Sequence, residues 1–186
     1  DYFTYNDSTG YALAYGNAEV KNYSEQDTLC LHADTFQLYT YNIRTDSVYR
    51  VLHGYYHVRS FREDIQSVAD SMIYHSADRT LILYGNPIVW NENRQILGEE
   101  IQVFFNDSTM DSIYIINQAL MAERLDSIYY NQVAGNVMKI FFDGQNIKEN
   151  RVIGNVLINY FPYDSDSIMT GMNYAETSLL RLFMEN

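Results

Sequence analysis

The chain has 186 residues, long enough to bury a core as one domain and too short to require two. Its 24 acidic residues outnumber 12 basic ones for a net charge of -12, which repels a polyphosphate backbone or an anionic bilayer and excludes non-specific nucleic-acid binding as a role. The 18 tyrosines and 9 phenylalanines, against 2 prolines, describe a strand-rich chain and not a disordered one, and a single cysteine, Cys30, excludes an intrachain disulfide.

The opening stretch, Asp1 to Asp7, has neither the basic nor the apolar region of an export signal and reads as the start of a piece excised from a longer protein. Gly16-Asn17-Ala18-Glu19-Val20 then predicts a Gly-led strand, and Ala33-Asp34-Thr35-Phe36-Gln37-Leu38 a small residue and polar pair leading an alternating strand. Asn42 to Ser47 predicts a turn. The two elements recur as Gly54-Tyr55-Tyr56-His57-Val58 with Ala69-Asp70-Ser71-Met72-Ile73-Tyr74, and as Gly85-Asn86-Pro87-Ile88-Val89 with Gly98-Glu99-Glu100-Ile101-Gln102-Val103. After a turn at Asn106 to Ser112 the first element is degraded to Gln118-Ala119-Leu120, followed by Gly135-Asn136-Val137-Met138-Lys139-Ile140. Turns at Asp143 to Asn146 and Asp164 to Ser167 bracket Gly154-Asn155-Val156-Leu157-Ile158, and Ala175-Glu176-Thr177-Ser178-Leu179-Leu180 opens the last copy. Many short strands in a degenerate repeat of roughly 30 to 40 residues result.

Side chains alternate across a strand, so the apolar positions three and five places into each copy share one face. These are Phe36, Leu38, Met72, Tyr74, Ile101, Val103, Met138, Ile140 and Leu180, and in register they line one interior. The small residue opening each copy marks a tight bend or a close approach of sheets, so leucine at Ala69 or Gly98 is expected to destabilise.

Catalytic and metal constellations are poorly supported. His53 and His57 would stand about 13 Å apart on a strand, and Cys30 with His32 lacks a third and fourth ligand nearby. The run Asp164-Ser165-Asp166-Ser167 lacks the glycine and terminal glutamate of a calcium loop and reads as a solvated turn. Glu99 with Glu100, or Asp34 with Glu176, could be read as a glycosidase pair, but such residues recur at each copy's start and read as solvent-facing turns. No nucleophile elbow, phosphate loop or His-Glu-x-x-His helix occurs, so no enzyme, cofactor or metal is expected. Trp90 reads as core or interface packing, with an aromatic meeting a lipid head group at a groove mouth as the functional alternative.

From about Tyr15 onward, the Gly-Asn-x-x-Val element followed by a small residue and polar pair resembles the repeat of the OstA-like, LptA-like lipopolysaccharide-transport family. The stretches Tyr84 to Gly98 and Ala69 to Tyr74 look particularly like the longer OstA-like proteins of Bacteroidetes-type bacteria. The resemblance implies an all-β, twisted β-jellyroll over residues 1–186, two antiparallel sheets folded as a V around an apolar groove. It implies a periplasmic, non-catalytic carrier that shelters the acyl chains of lipopolysaccharide or a related lipid on the way to the outer membrane. Its partners would be other transport-bridge proteins, or further copies of itself, joined head to tail by strand addition. The alternative from the residues is a structural or carbohydrate-binding β-solenoid at the cell surface, whose exposed aromatics do the recognising.

Overall fold

A computed structural model describes residues 2–24, 27–63, 65–107, 109–144, 146–164 and 168–183. Among them are thirteen strands: β1 (Tyr2–Asn6), β2 (Tyr11–Ser24), β3 (Asp27–Tyr41), β4 (Tyr49–Phe61), β5 (Ile65–His75), β6 (Thr80–Tyr84) and β7 (Ile88–Asn91) in the first half. Then follow β8 (Arg94–Leu97), β9 (Glu100–Phe105), β10 (Met110–Arg124), β11 (Tyr130–Asp143), β12 (Asn146–Tyr160) and β13 (Asn173–Phe183). All pair antiparallel in one sheet, with the path β1-β2-β3-β4-β5-β6-β9-β10-β11-β12-β13 and the β7–β8 hairpin set between β5 and β10. This meander is the all-β, twisted β-jellyroll that the family resemblance implies, and its antiparallel order differs from the stacked coils of a β-solenoid. The turns close as the Asx chemistry of the sequence requires. Asn6 Oδ1 accepts from the backbone N–H groups of Ser8 and Thr9, and Asp126 Oδ1 from those of Ile128 and Tyr129.

The passes are longer than the expected short strands, because most run unbroken through a corner. Every second pass carries two successive residues of positive φ there: Gly16-Asn17, Tyr56-His57, Gly85-Asn86, Asn117-Gln118 and Gly154-Asn155. The ladder slips at these points. Tyr15 pairs Thr35 while Ala18 pairs Ala33, so two residues of β2 oppose the single Asp34 of β3. The same two-against-one count places Asp70, Asn136 and Ser178 opposite the later pairs. At Gly85 a side chain is barred by φ +77° and by Asp70, whose Cβ would lie 2.4 Å from an added Cβ. Gly154 repeats this against Asn136. The non-glycine pairs are held by side chains instead. His57 Nδ1–H donates to Asp34 Oδ2 at 2.8 Å, and Glu99 accepts from Asn117 Nδ2 at 3.0 Å and Gln118 Nε2 at 2.6 Å.

The corner divides the sheet into two leaves and reverses the pleat on alternate passes. Along β4 the inward set steps by four, from Gly54 to Val58, whereas along β3 it steps by three, from Phe36 back to Ala33. That odd step is the physical origin of the three-and-five spacing. The first leaf comprises β1, β6, β9 and one half of each long pass; the second holds β7, β8 and the other halves. The expected two sheets are thus leaves of one hydrogen-bonded sheet, and their inner faces form a single core around Ala33, Ile101, Ile115, Met138, Val152 and Val156.

Register corrects three alignments of the repeat. Gly54 is not the equivalent of Gly16, because the positive-φ pair of β4 is Tyr56-His57; Gly54 instead stands directly opposite Phe36 and Met72. The degraded copy starts at Asn117 and not at Gln118. In the last copy Thr177, opposite Val156, takes the place of Ala33, so Leu180 is the third position after the corner and not the fifth.

Candidate functional site

The nine apolar positions singled out by alternation fall into two adjacent cross-strand rows on the inner face of the first leaf. Phe36, Met72, Ile101, Met138 and Leu180 occupy the row nearest the corner, joined through Gly54, Leu83, Ile115 and Val152 by unbroken residue-to-residue pairing. Leu38, Tyr74, Val103 and Ile140 occupy the next row outward, through Leu52, Leu81 and Ile113. Cross-strand neighbours of this kind pack side by side, so each row is a continuous apolar stripe.

The inner row is buried from β3 to β12, whereas the outer row is buried across β9 to β12 and half-buried across β3 to β6. Ile101, Met138 and Ile140 are enclosed, Phe36, Met72 and Val103 nearly so, while Leu38 and Tyr74 in the outer row and Leu180 on the open edge strand are half-buried. Half-buried apolar residues pack against the core in both leaves, among them Leu52, Leu81, Phe142 and Ile147 in this leaf and Leu31 and Met121 in the other. Gly54 has a specific role in the inner row. A Cβ there would lie 2.8 Å from Met72 Cγ and 3.0 Å from Phe36 Cε1, so these two side chains close over the space it leaves.

Besides the apolar residues that join the nine, this face holds one polar residue that alternation could not reveal. Asn150 stands in the outer row between Ile140 and Leu182, is only 2 % exposed, and its Oδ1 has no hydrogen-bond partner among the described residues. Its setting, Glu149-Asn150-Arg151, reads locally as a solvated strand, so only the register reveals it as an inward polar group.

The outer face of the first leaf carries rings and charges. Lys139, Arg151 and Arg181 form one cross-strand row, lying over Tyr114, Phe141 and Phe183 respectively. Hydrogen bonds from Arg181, at 2.8 Å, and Arg151, at 3.1 Å, hold the Glu149 carboxyl down to about 2. Burial, with a smaller contribution from His75, pushes the His53 imidazole below its usual range, and its ring stacks on Tyr55.

Outer cavities occur on the second leaf. One of about 410 Å³ is lined by Glu63, Gln66, Trp90 and Glu92, and one of about 160 Å³ by Ile128, Tyr130, Gln132, Asn159, Phe161 and Met172. Trp90 and Gln132 point outward here, since their neighbours Val89 and Val133 face the core.

The alternative constellations separate in space. His57 is committed to Asp34 at the corner, and His53 to the aromatic stack. Glu99 caps the Asn117-Gln118 corner while Glu100 accepts from Gln102 Nε2, so the two carboxylates flank no common bond. Asp34 and Glu176 sit on β3 and β13, far apart in the strand order. Cys30 and His32 lie opposite Phe61 and Arg59. Asp164 Oδ1 accepts from the backbone N–H of Ile168, and Ser165 to Ser167 lie outside the described residues. Among the described residues no three His, Cys, Asp or Glu side chains are grouped to hold a metal ion.

Among known families, the family model described as LptA/(LptD N-terminal domain) LPS transport protein matches residues 1–109, more than half of the chain. No curated protein matches it.

Proposed function

The chain belongs to the LptA/LptD N-terminal-domain family of LPS transport proteins, and from that premise we propose that it carries the lipid by its acyl chains between the inner faces of the two leaves. The observation that supports this reading is the pair of apolar stripes, the inner one buried and the outer one half-buried where it crosses β3 to β6. Acyl chains entering past β3 to β6 would meet Leu38 and Tyr74 first and reach toward the row of Phe36, Met72, Ile101, Met138 and Leu180, with Val103 and Ile140 continuing the outer stripe. Each methylene removed from water there contributes about 0.8 kcal/mol, without a covalent step or a cofactor. Met72 and Met138 suit a lining that binds and releases, because thioether side chains repack at small cost.

The setting for this work is the periplasm. Transfer then runs from domain to domain, and the open edges supply the means. Phe3 and Tyr5 of β1 extend the inner and outer stripes at one edge and are exposed, and Leu180 and Leu182 extend them at the other. Strand addition of β13 to the β1 edge of a further copy, or of another bridge protein, would continue both stripes across the joint.

The test is photo-crosslinking with lipopolysaccharide labelled on its acyl chains, against delipidated saccharide. Saturable, acyl-dependent crosslinks that fall at least tenfold in Leu38→Asp and Tyr74→Asp, with melting temperatures retained, are expected. Equal labelling with delipidated saccharide overturns the reading.

A further inference from the structure

On the outer face of the second leaf, Phe61, Trp90 and Tyr174 belong to one cross-strand row, and all three rings are exposed. The positions between them carry carboxamides. Phe61 pairs Gln66, Gln66 pairs Trp90, Trp90 pairs Gln95, and beyond Ala122 the row continues through Gln132 and Asn159 to Tyr174. Seven strand spacings at about 4.8 Å each make this row roughly 34 Å long. Both outer cavities lie on it, one at Gln66 and Trp90 and the other at Gln132 and Asn159.

The side chains of Gln66, Gln95, Gln132 and Asn159 make no hydrogen bond to another described residue. Each offers two N–H donors and an acceptor oxygen in one plane, the complement of neighbouring hydroxyl groups on a ring, and the exposed aromatic faces complement the C–H faces of that ring. Strand spacing is close to the length of one pyranose unit, so successive sugars of an extended chain would meet successive strands. Charge selects among such chains. From Phe61 to Tyr174 the row carries no ionised group; beyond Phe61 it passes through Cys30 to Lys21, which pairs with Glu19 at 3.2 Å. Glu63 and Glu92 at the Trp90 cavity, within a chain of net charge -12, repel anionic polymers while accepting hydrogen bonds from hydroxyls.

We propose that this row is a binding site for an uncharged, extended oligosaccharide that carries no lipid. The backbone between the two faces is continuously hydrogen-bonded, so a glycolipid whose chains lie against the inner stripes cannot pass through the sheet to lay its sugars on the row. The site is therefore separate from the acyl-chain reading and does not rest on it.

Trp90 is the single tryptophan of the chain, so its fluorescence reports the site directly. The probes are cellohexaose, laminarihexaose, xylohexaose and mannohexaose, followed by fluorescence and by isothermal titration calorimetry. At least one is expected to bind and shift the Trp90 emission, and its disaccharide to bind at least tenfold more weakly. Trp90→Ala and Gln132→Ala, read by calorimetry, are each expected to weaken binding tenfold or more at unchanged melting temperature. Silence with all four hexasaccharides, or undiminished binding by both variants, overturns the proposal. A Trp90 response to lipopolysaccharide alone overturns the lipid-free assignment. Loss of acyl crosslinking in Leu38→Asp leaves hexasaccharide binding intact if the two sites are distinct.

Discussion

Gly135→Ala measures how tightly the corner is closed. A Cβ built on Gly135 lies 2.5 Å from Val152 Cγ1 and 3.3 Å from the carbonyl oxygen of Gly154. The optimum for two carbons is about 3.5–4.0 Å, so the overlap is about 1 Å. Val152 cannot turn away, because it is β-branched and fully buried between Met138 and Leu180 in the inner row. The strain must open the corner, at about 1–3 kcal/mol for overpacking. Alanine restricts the unfolded chain and returns about 0.4–1 kcal/mol of this. A net loss of about 1–2 kcal/mol lowers the melting temperature by about 2–8 °C at this chain length. Thermal denaturation followed by circular dichroism reads the shift, and the same substitution in a Val152→Ala background identifies its cause. With the valine methyls gone, most of the penalty should vanish, giving a coupling of about 1 kcal/mol or more. Additivity of the two substitutions within about 0.5 kcal/mol would refute the steric account.

Asn150→Leu removes a buried carbonyl that has no partner, a group whose desolvation costs about 1–3 kcal/mol; the melting temperature is expected to rise by about 2–4 °C per kcal/mol recovered, and a fall would show that the amide is needed. Glu149 is held down to about 2 by Arg181 and Arg151 from an ordinary value of 4.5, so its contribution to docking β13 is complete above pH 4.5 and is lost as pH falls toward 2. Glu149→Gln should therefore lower the denaturation midpoint near neutral pH and cease to differ from the parent in strong acid; a gap independent of pH would refute the linkage. Phe3→Lys with Tyr5→Lys places charges on the inner face of the β1 edge and should reduce self-association at least tenfold in sedimentation experiments. A parent chain whose mass stays monomeric at every concentration would sink the strand-addition account.

Much of the fold was legible because strand alternation and turn chemistry are local. The runs from Phe36 to Tyr39, Ile101 to Phe104 and Met138 to Phe141 declare their inward face by their own period, and the Asn, Asp and Ser clusters declare the turns between them. The small residue that opens most copies, Ala33, Ala69, Gly98 or Gly135, was visible for the same reason. Register was not local. Tyr56 and His57 adopt positive φ although neither residue advertises it, because Asp34 on another pass supplies the hydrogen bond that holds His57 there. Gly54 read as a strand leader and serves as the space beneath Phe36 and Met72, which only their pairing across β3, β4 and β5 makes evident.

Sequence by itself determined that this chain forms strands, which residues of each strand share a face, and that the unit repeats. Tertiary structure decided how the copies align, that Asn150 faces the core, and that Gln66, Trp90, Gln95, Gln132 and Asn159 fall into one line. The physical reason is that a pleat is set by each strand's own backbone, whereas a cross-strand row exists only once hydrogen bonds have fixed which residue of one pass stands beside which residue of the next.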